Sequence, residues 1–267
     1  MTDKIGRVLI IAGSDSGGGA GIQADIKTVT ALGGYAATAV TAITVQNTLG
    51  VSAVHVLPPE LVEAQARAVL DDIGADAFKI GMLGEIRIVE AVARILAGAG
   101  GVPAVVDPVM VAKGGAALLE PRAGAAVRDL LIPGATLLTP NAPEAAALTG
   151  LEIETADDLR RAGEALLALG AAAVLMKGGH IAGATVIDVL MTSAGETTFE
   201  GPRIDTRHTH GTGCTLSSAC AAGLAQGLTL ERAVARAWAY TAEAMRRAPG
   251  FGAGHGPLDH AWPVREK

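Results

Sequence analysis

The residues best suited to chemistry lie in one basic, small-residue turn, Thr206-Arg207-His208-Thr209-His210-Gly211-Thr212-Gly213-Cys214-Thr215. A run of mostly small residues from Leu216 to Leu224 follows it and predicts a tightly packed helix, so Gly211-Thr212-Gly213 falls where loop becomes helix. The first turn of a helix has N–H groups without intrahelical partners and carries the positive end of the dipole. Glycines there let the backbone close on a ligand, which makes an anion site, for phosphate above all. Cys214 falls in that first turn, where the same field should lower its pKa and leave it partly thiolate. The competing account is a plain tight turn followed by a core cysteine.

Other candidates are scattered along the chain. Lys177 ends an apolar run and precedes Gly178-Gly179; a lysine in that setting is costly unless it meets an anion. Asp107, Asn141 and Glu144 offer hard oxygen ligands of the kind a hydrated magnesium ion takes. Taken singly, Asp107 is also a strand-end turn residue, and Glu144 a first-turn charge that favours the helix dipole. Gln46 and Asn47 end a strand, and buried amides there need partners that a planar heterocycle could supply. Gly19-Ala20-Gly21-Ile22-Gln23-Ala24 fits a dinucleotide-binding turn, but the preceding loop is too long and the acid expected further on is missing. There is no Gly-Lys pair, hence no Walker A loop. His208 and His210 lack a third metal ligand and are expected at the surface or just behind the site; His55, His180, His255 and His260 form no pattern.

The elements that must position these groups alternate. Strands are expected at Arg7–Ala12, Ala36–Val45, Val51–Val56, Ala77–Ile80, Ala104–Asp107, Leu137–Thr139 and Ala172–Lys177, with a hairpin over Val186–Thr192 and Thr197–Glu200. Helices are expected at Ile22–Leu32, Pro59–Asp72, Glu85–Ala97, Arg122–Leu131, Ala142–Leu148, Thr155–Leu169, Thr212–Gln226 and Thr229–Arg247, with Thr155 and Asp158 forming a capping box. Alternation of this kind predicts an α/β fold with a mostly parallel central sheet and helices on both faces. The Val51 strand could stand apart as a small flap. Ligands of such sheets bind beyond the carboxyl ends of the strands. Ser14, Asp15, Gln46, Asn47, Lys79, Met82, Asp107, Asn141, Lys177 and the Gly211 turn all fall at those ends.

Composition sets the limits. Half of the 267 residues are hydrophobic and 18% are charged, as in a globular chain with ample core. Without repeats or linkers, residues 1–267 read as a single domain. Scarce aromatics and a net charge of -6 argue against a nucleic-acid partner. Cys214 and Cys220, six apart on one helix, point too differently to bridge, and two free thiols indicate a cytoplasmic setting. Met1 to Lys4 runs straight into a strand with no signal peptide, and no apolar run reaches the about 18 residues a membrane helix needs.

Together several stretches carry a resemblance. They are Ala12-Gly13-Ser14-Asp15, Gly18 to Asp25, Ala42 to Thr48, Lys79 to Leu83, Asp107 to Met110, Thr139 to Glu144, Met176 to His180 and His210 to Thr215. In that order the chain resembles the hydroxymethylpyrimidine/phosphomethylpyrimidine kinases of thiamine biosynthesis, in the ribokinase-like superfamily, over nearly its whole length. The resemblance implies a three-layer α/β fold, usually a homodimer, and two steps dependent on ATP and Mg2+. The first phosphorylates 4-amino-5-hydroxymethyl-2-methylpyrimidine and the second converts that monophosphate to the pyrophosphate. It also implies roles: Gln46, helped by Asp25, on the aminopyrimidine edge; Gly13, Met82 and Val109 around the ring; Asn141 and Glu144 on magnesium and phosphate; Lys177 on ATP phosphates; Gly211-Thr212-Gly213 as the anion hole. Many sugar kinases of the superfamily carry an aspartate base where this chain has Cys214, and cysteine marks the pyrimidine branch. Some pyridoxal kinases share that cysteine, so pyridoxal is the runner-up substrate. A cysteine acyl-transfer enzyme would need a third group to orient a histidine, which the sequence does not supply. A vitamin-binding regulator would consume no ATP.

Overall fold

The structure, a computed structural model, describes residues 4–111, 115, 118–120 and 122–265. The expectation made for Met1 to Asp3 lies outside the described residues. Strand β1 (Arg7–Asp15) leads through a glycine loop into α1 (Gly21–Ala31). Then come β2 (Tyr35–Asn47), β3 (Gly50–Val56), α2 (Pro59–Asp72), β4 (Ala77–Ile80), α3 (Ile86–Gly98) and β5 (Ala104–Val106). A short α4 (Ala123–Ala126) runs on as a π turn over Val127–Leu131, followed by β6 (Leu137–Leu138), α5 (Ala142–Thr149), α6 (Ala156–Ala168) and β7 (Ala173–Met176). The hairpin β8 (Thr185–Thr192) and β9 (Gly195–Pro202) precedes α7 (Thr212–Ala225), α8 (Leu230–Arg246) and a last short turn, α9 (Trp262–Arg265).

The nine strands among the described residues form one sheet in the order β3-β2-β1-β4-β5-β6-β7-β8-β9. The central pairs from β2 to β7 are parallel, and β3, β8 and β9 add antiparallel edges. The short central strands are continuous apolar runs because both faces are covered. One core lies under α2 to α6, with Phe78, Ile80, Val92, Leu138 and Leu166 fully buried or nearly so. The other lies under α1, α7 and α8, with Ile10, Val105, Leu175, Ala222 and Val234. The layers are therefore three, as expected.

The expected flap is hydrogen-bonded to the sheet edge. β3 pairs with Ala42–Asn47, while β1 pairs with Tyr35–Thr44, so the β2–β3 hairpin overhangs the end of the main sheet. Period-two alternation along β2 turns Thr44 and Gln46 inward and leaves Ile43 and Val45 on the exposed side. A segment beyond α8 straps this hairpin down. The His255 N–H donates to the Thr48 carbonyl at 2.9 Å, and the Gly256 carbonyl accepts from the His210 N–H at 3.2 Å. The Arg122–Leu131 helix is shorter in α form than its periodicity predicts, because it widens into the π turn.

Candidate active site

The carboxyl ends of the strands open on a cavity of about 1120 Å³. Its wall includes Gly13, Gln46, Lys79, Met82, Asp107, Val109, Asn141, Glu144, Lys177, Gly211, Thr212, Gly213 and Cys214. Of the candidate residues Asp25 and Asn47 are not on that wall, and Asn47 Oδ1 instead accepts from the Leu49 N–H at 2.8 Å in the hairpin turn. The two glycine loops meet as backbone against backbone. Gly211 has φ +83°, and a Cβ on it would lie 1.8 Å from the Gly19 carbonyl oxygen, so nothing larger than glycine fits.

On one wall, the Lys177 ammonium lies 2.9 Å from Asp107 Oδ1 and 3.9 Å from Glu144 Oε2. Thr139 Oγ1 donates to the same Asp107 oxygen at 3.1 Å. Burial opposes the charge on Lys177, but Asp107 and Glu144 outweigh it and raise its pKa above the ordinary lysine value. The Asn141-x-x-Glu144 motif is a capping box: Asn141 Oδ1 accepts from the Glu144 N–H at 2.9 Å, and Glu144 Oε2 accepts from the Asn141 N–H at 2.8 Å. The box fixes both side chains at the cavity edge. Burial pushes the Glu144 carboxyl up to about 7, against the pull of Lys177 and with the push of Asp107. Two buried carboxylates thus share one ammonium.

Behind Cys214 lies a second buried pair. Lys79 Nζ is 2.9 Å from Asp25 Oδ2, with both side chains at 0% exposure. Ser218, one turn along α7 from Cys214, donates to Asp25 Oδ1 at 2.6 Å. Burial opposes the Lys79 charge, but the Asp25 carboxylate, then Cys214 and Asp107, hold it protonated. Both Asp25 oxygens are therefore engaged behind the wall, where the residue anchors Lys79 rather than lining the cavity. The expected thiolate at Cys214 is corrected. Burial pushes the thiol up to about 11, and the Lys79 charge offsets only part of that. Here desolvation outweighs the helix-terminus field. Cys214 and Cys220 are both free.

His210 takes the second of its two expected places, behind the site: it is 7% exposed, and its Nε2 lies 2.9 Å from Asp15 Oδ2 and 3.2 Å from the Gln46 amide. Two features escaped the sequence reading. His260 is also buried, 3.0 Å from Thr215 Oγ1. The cavity continues past the anion turn between β9 and α8, along Gly201, Trp238, Thr241, Ala242 and Met245. Trp238, Thr241, Ala242 and Met245 recur at helical spacing, so that stripe was present in the sequence. Among the described residues no helix is long and apolar enough to cross a membrane.

A cavity with an anion turn, a lysine, two carboxylates and an amide-bearing recess is a place for phosphoryl transfer to a small molecule. Comparison with known proteins agrees. The family profile described as phosphomethylpyrimidine kinase matches residues 15–259. A hydroxymethylpyrimidine/phosphomethylpyrimidine kinase from Streptomyces coelicolor is 51% identical over 97% of this chain and 96% of its own. Among solved structures, a pyridoxal kinase from Bacillus subtilis in complex with ADP superposes with TM-score 0.91 at 37% identity, over 99% of this chain and 100% of that one. A phosphomethylpyrimidine kinase from Clostridium difficile superposes with TM-score 0.80 at 43% identity, over 90% of this chain and 99% of that one. The chain belongs to the phosphomethylpyrimidine kinase family, with the fold of the ribokinase-like kinases.

Proposed function

We propose that the protein phosphorylates 4-amino-5-hydroxymethyl-2-methylpyrimidine with ATP and then phosphorylates the monophosphate to the pyrophosphate. The observation that carries this reading is the convergence of Gln46, Cys214, the Gly211 turn and Lys177 on one continuous cavity. Gln46 pairs with the aminopyrimidine edge, and Gly13, Met82 and Val109 enclose the ring. The stretch along Trp238 and Met245 takes the nucleotide base, so that the phosphates run back toward the anion turn. In the first step the substrate hydroxyl oxygen bonds to the γ-phosphorus as the bond to the bridging oxygen of ADP breaks. Its proton passes to Cys214 Sγ in the thiolate form, a minor species at neutral pH because burial pushes the thiol up to about 11. The amides of Gly211, Thr212 and Gly213 and the Lys177 ammonium hold the charge on the moving group. The second nucleophile is a phosphate oxygen already charged, so it has less need of a base.

Asp107 and Glu144 fit a hydrated magnesium ion. They are oxygen donors on one wall, and two buried carboxylates against one lysine leave room for further positive charge. Bound there with the nucleotide, Mg2+ would neutralise phosphate charge. The protein acts in the cytoplasm as a homodimer on this reading; Ile43, Val45 and Leu49, 51%, 60% and 72% exposed on the β2–β3 hairpin, support an apolar contact there.

The test is a mass-spectrometric product assay with ATP and Mg2+. Monophosphate followed by pyrophosphate from the hydroxymethylpyrimidine is the expected result. Phosphate on pyridoxal alone would keep the phosphate site and reassign Gln46 and the ring pocket. The 51% identity to a hydroxymethylpyrimidine kinase, against 37% to a pyridoxal kinase, favours the pyrimidine.

A further inference from the structure

His210 is held on every side. Its N–H donates to the Gly256 carbonyl at 3.2 Å, and a Cβ on Gly19 would lie 2.5 Å from its ring Cδ2 and 3.2 Å from Pro257 Cβ. The ring is thus slotted between the first glycine loop and the strap, with Nε2 aimed at two acceptable partners, Asp15 and Gln46.

Asp15 decides the proton. Its Oδ2 accepts from the Gly19 N–H at 3.0 Å and the Ala20 N–H at 2.8 Å, and its Oδ1 from the Gly17 N–H at 2.8 Å. Burial opposes the charge on Asp15, but the bonds from His210 and these amides outweigh it and hold its pKa below the ordinary carboxylate value. A carboxylate only accepts, so His210 Nε2 must carry a hydrogen.

That hydrogen decides the amide of Gln46. As placed, Gln46 Nε2 faces His210 Nε2 at 3.2 Å and Gln46 Oε1 faces Thr44 Oγ1 at 3.1 Å. Two N–H groups cannot bond each other. The single Thr44 hydroxyl proton is already given to the Ser14 carbonyl at 2.9 Å. Turning the amide over satisfies both: its oxygen shares the His210 Nε2–H, and its NH2 donates to Thr44 Oγ1. The Gln46 backbone cannot swing to avoid this, because Ser16 Oγ bonds both its N–H, at 2.9 Å, and its carbonyl, at 2.8 Å.

We propose that His210 is the positioning residue that fixes which end of the Gln46 amide donates and which accepts, and thereby which way round the substrate heterocycle lies. The inference rests on Gln46 being the residue that meets the heterocycle. An aminopyrimidine edge places an amino donor beside a ring-nitrogen acceptor, and a primary amide matches it in one order only. The hydroxymethyl carbon is attached next to the amino-bearing carbon, so it follows the amino group. A reversed amide would turn the hydroxymethyl away from Cys214.

The test combines kinetics with spectroscopy. His210→Phe fills the slot without a donor, and His210→Gln returns an N–H near the Nε2 position. The expected result for His210→Phe is a fall of roughly tenfold or more in kcat/KM for the hydroxymethylpyrimidine, the loss of one well-placed hydrogen bond. KM for ATP stays within about twofold, and His210→Gln recovers most of the loss. Gln46→Ala should lose as much alone as in combination with His210→Phe, because His210 acts only through Gln46. Additive losses, or a His210→Phe enzyme with wild-type pyrimidine kinetics, overturn the proposal. If Gln46→Ala itself leaves pyrimidine kinetics unmoved, the assignment of Gln46 falls, and this inference with it. Independently of any variant, 15N–1H correlation spectra of the wild-type protein should show a protonated Nε2 on His210 at neutral and mildly alkaline pH. An unprotonated Nε2 there overturns the proposal.

Discussion

Asp25→Asn separates two accounts of one residue. If Asp25 touched the heterocycle, the variant would raise the pyrimidine KM and leave stability alone. The structure instead buries Asp25 and Lys79 completely, 2.9 Å apart, with Ser218 on the second oxygen. Removing one charge of a buried pair costs about 3–5 kcal/mol, since the other is left uncompensated. The lower end applies here, because Asp107 also favours the Lys79 charge. For a chain of 267 residues, each kcal/mol moves the melting temperature by about 2 °C, so Asp25→Asn should melt about 6 °C lower. Calorimetry on the purified variant reads this directly. Asp25→Leu combined with Lys79→Met, which removes both charges, should recover most of the loss. An Asp25→Asn protein with unchanged melting and a raised pyrimidine KM would refute the reasoning and return Asp25 to the substrate.

Cys214→Ala should slow the first phosphorylation by about 10²-fold or more and the second far less, because only the first needs a base; equal losses in single-step assays would count against the base. With the thiol near 11, kcat/KM of the first step should climb with pH from 7 to 9.5 in the wild type and stay flat in Cys214→Ala. Gly211→Ala places a Cβ 1.8 Å from the Gly19 carbonyl oxygen and should cut both steps by about 10²-fold by parting the loops, as read in the same assays. Burial, with smaller pushes from Lys27 and His210, lowers His260 from 6.5 to about 4. The unfolded chain then binds the extra proton between those values, so stability is lost as pH falls from 6.5 toward 4, by about 3 kcal/mol. Urea titrations of wild type and His260→Gln at pH 7 and pH 4.5 should differ by most of that amount.

The sequence was most legible where local rules act alone. Pro59–Asp72 and Ala77–Ile80 match their expected bounds, and the Thr155–Asp158 capping box is present, because periodicity, a proline start and cap chemistry need only neighbours. The Gly211 turn was visible for the same reason. What could not be read are terms that depend on distant parts of the chain. The Cys214 thiol was misjudged because its helix position is local, while its desolvation is set by the surrounding protein. The burial of Asp25 could not be read because its partners, Lys79 and Ser218, lie 54 and 193 residues away. His210 was left between the surface and a place behind the site, and the slot between Gly19 and Pro257 decides for the second.

The strap over the β2–β3 hairpin bears on how the protein is made. Loops near Gly13 and Gly19 leave the ribosome well before the residues that seat them, His210, Gly256 and Pro257. Domains emerge amino end first, and contacts of such long separation form slowly. The nascent chain can therefore bury much of its sheet while the site stays unassembled. The wall around His210 is complete only once the 250–257 segment has bonded Thr48 and His210. A chain nicked at that segment, with the piece beyond it still docked through His260 on Thr215 and Tyr240, should stay largely folded and lose activity.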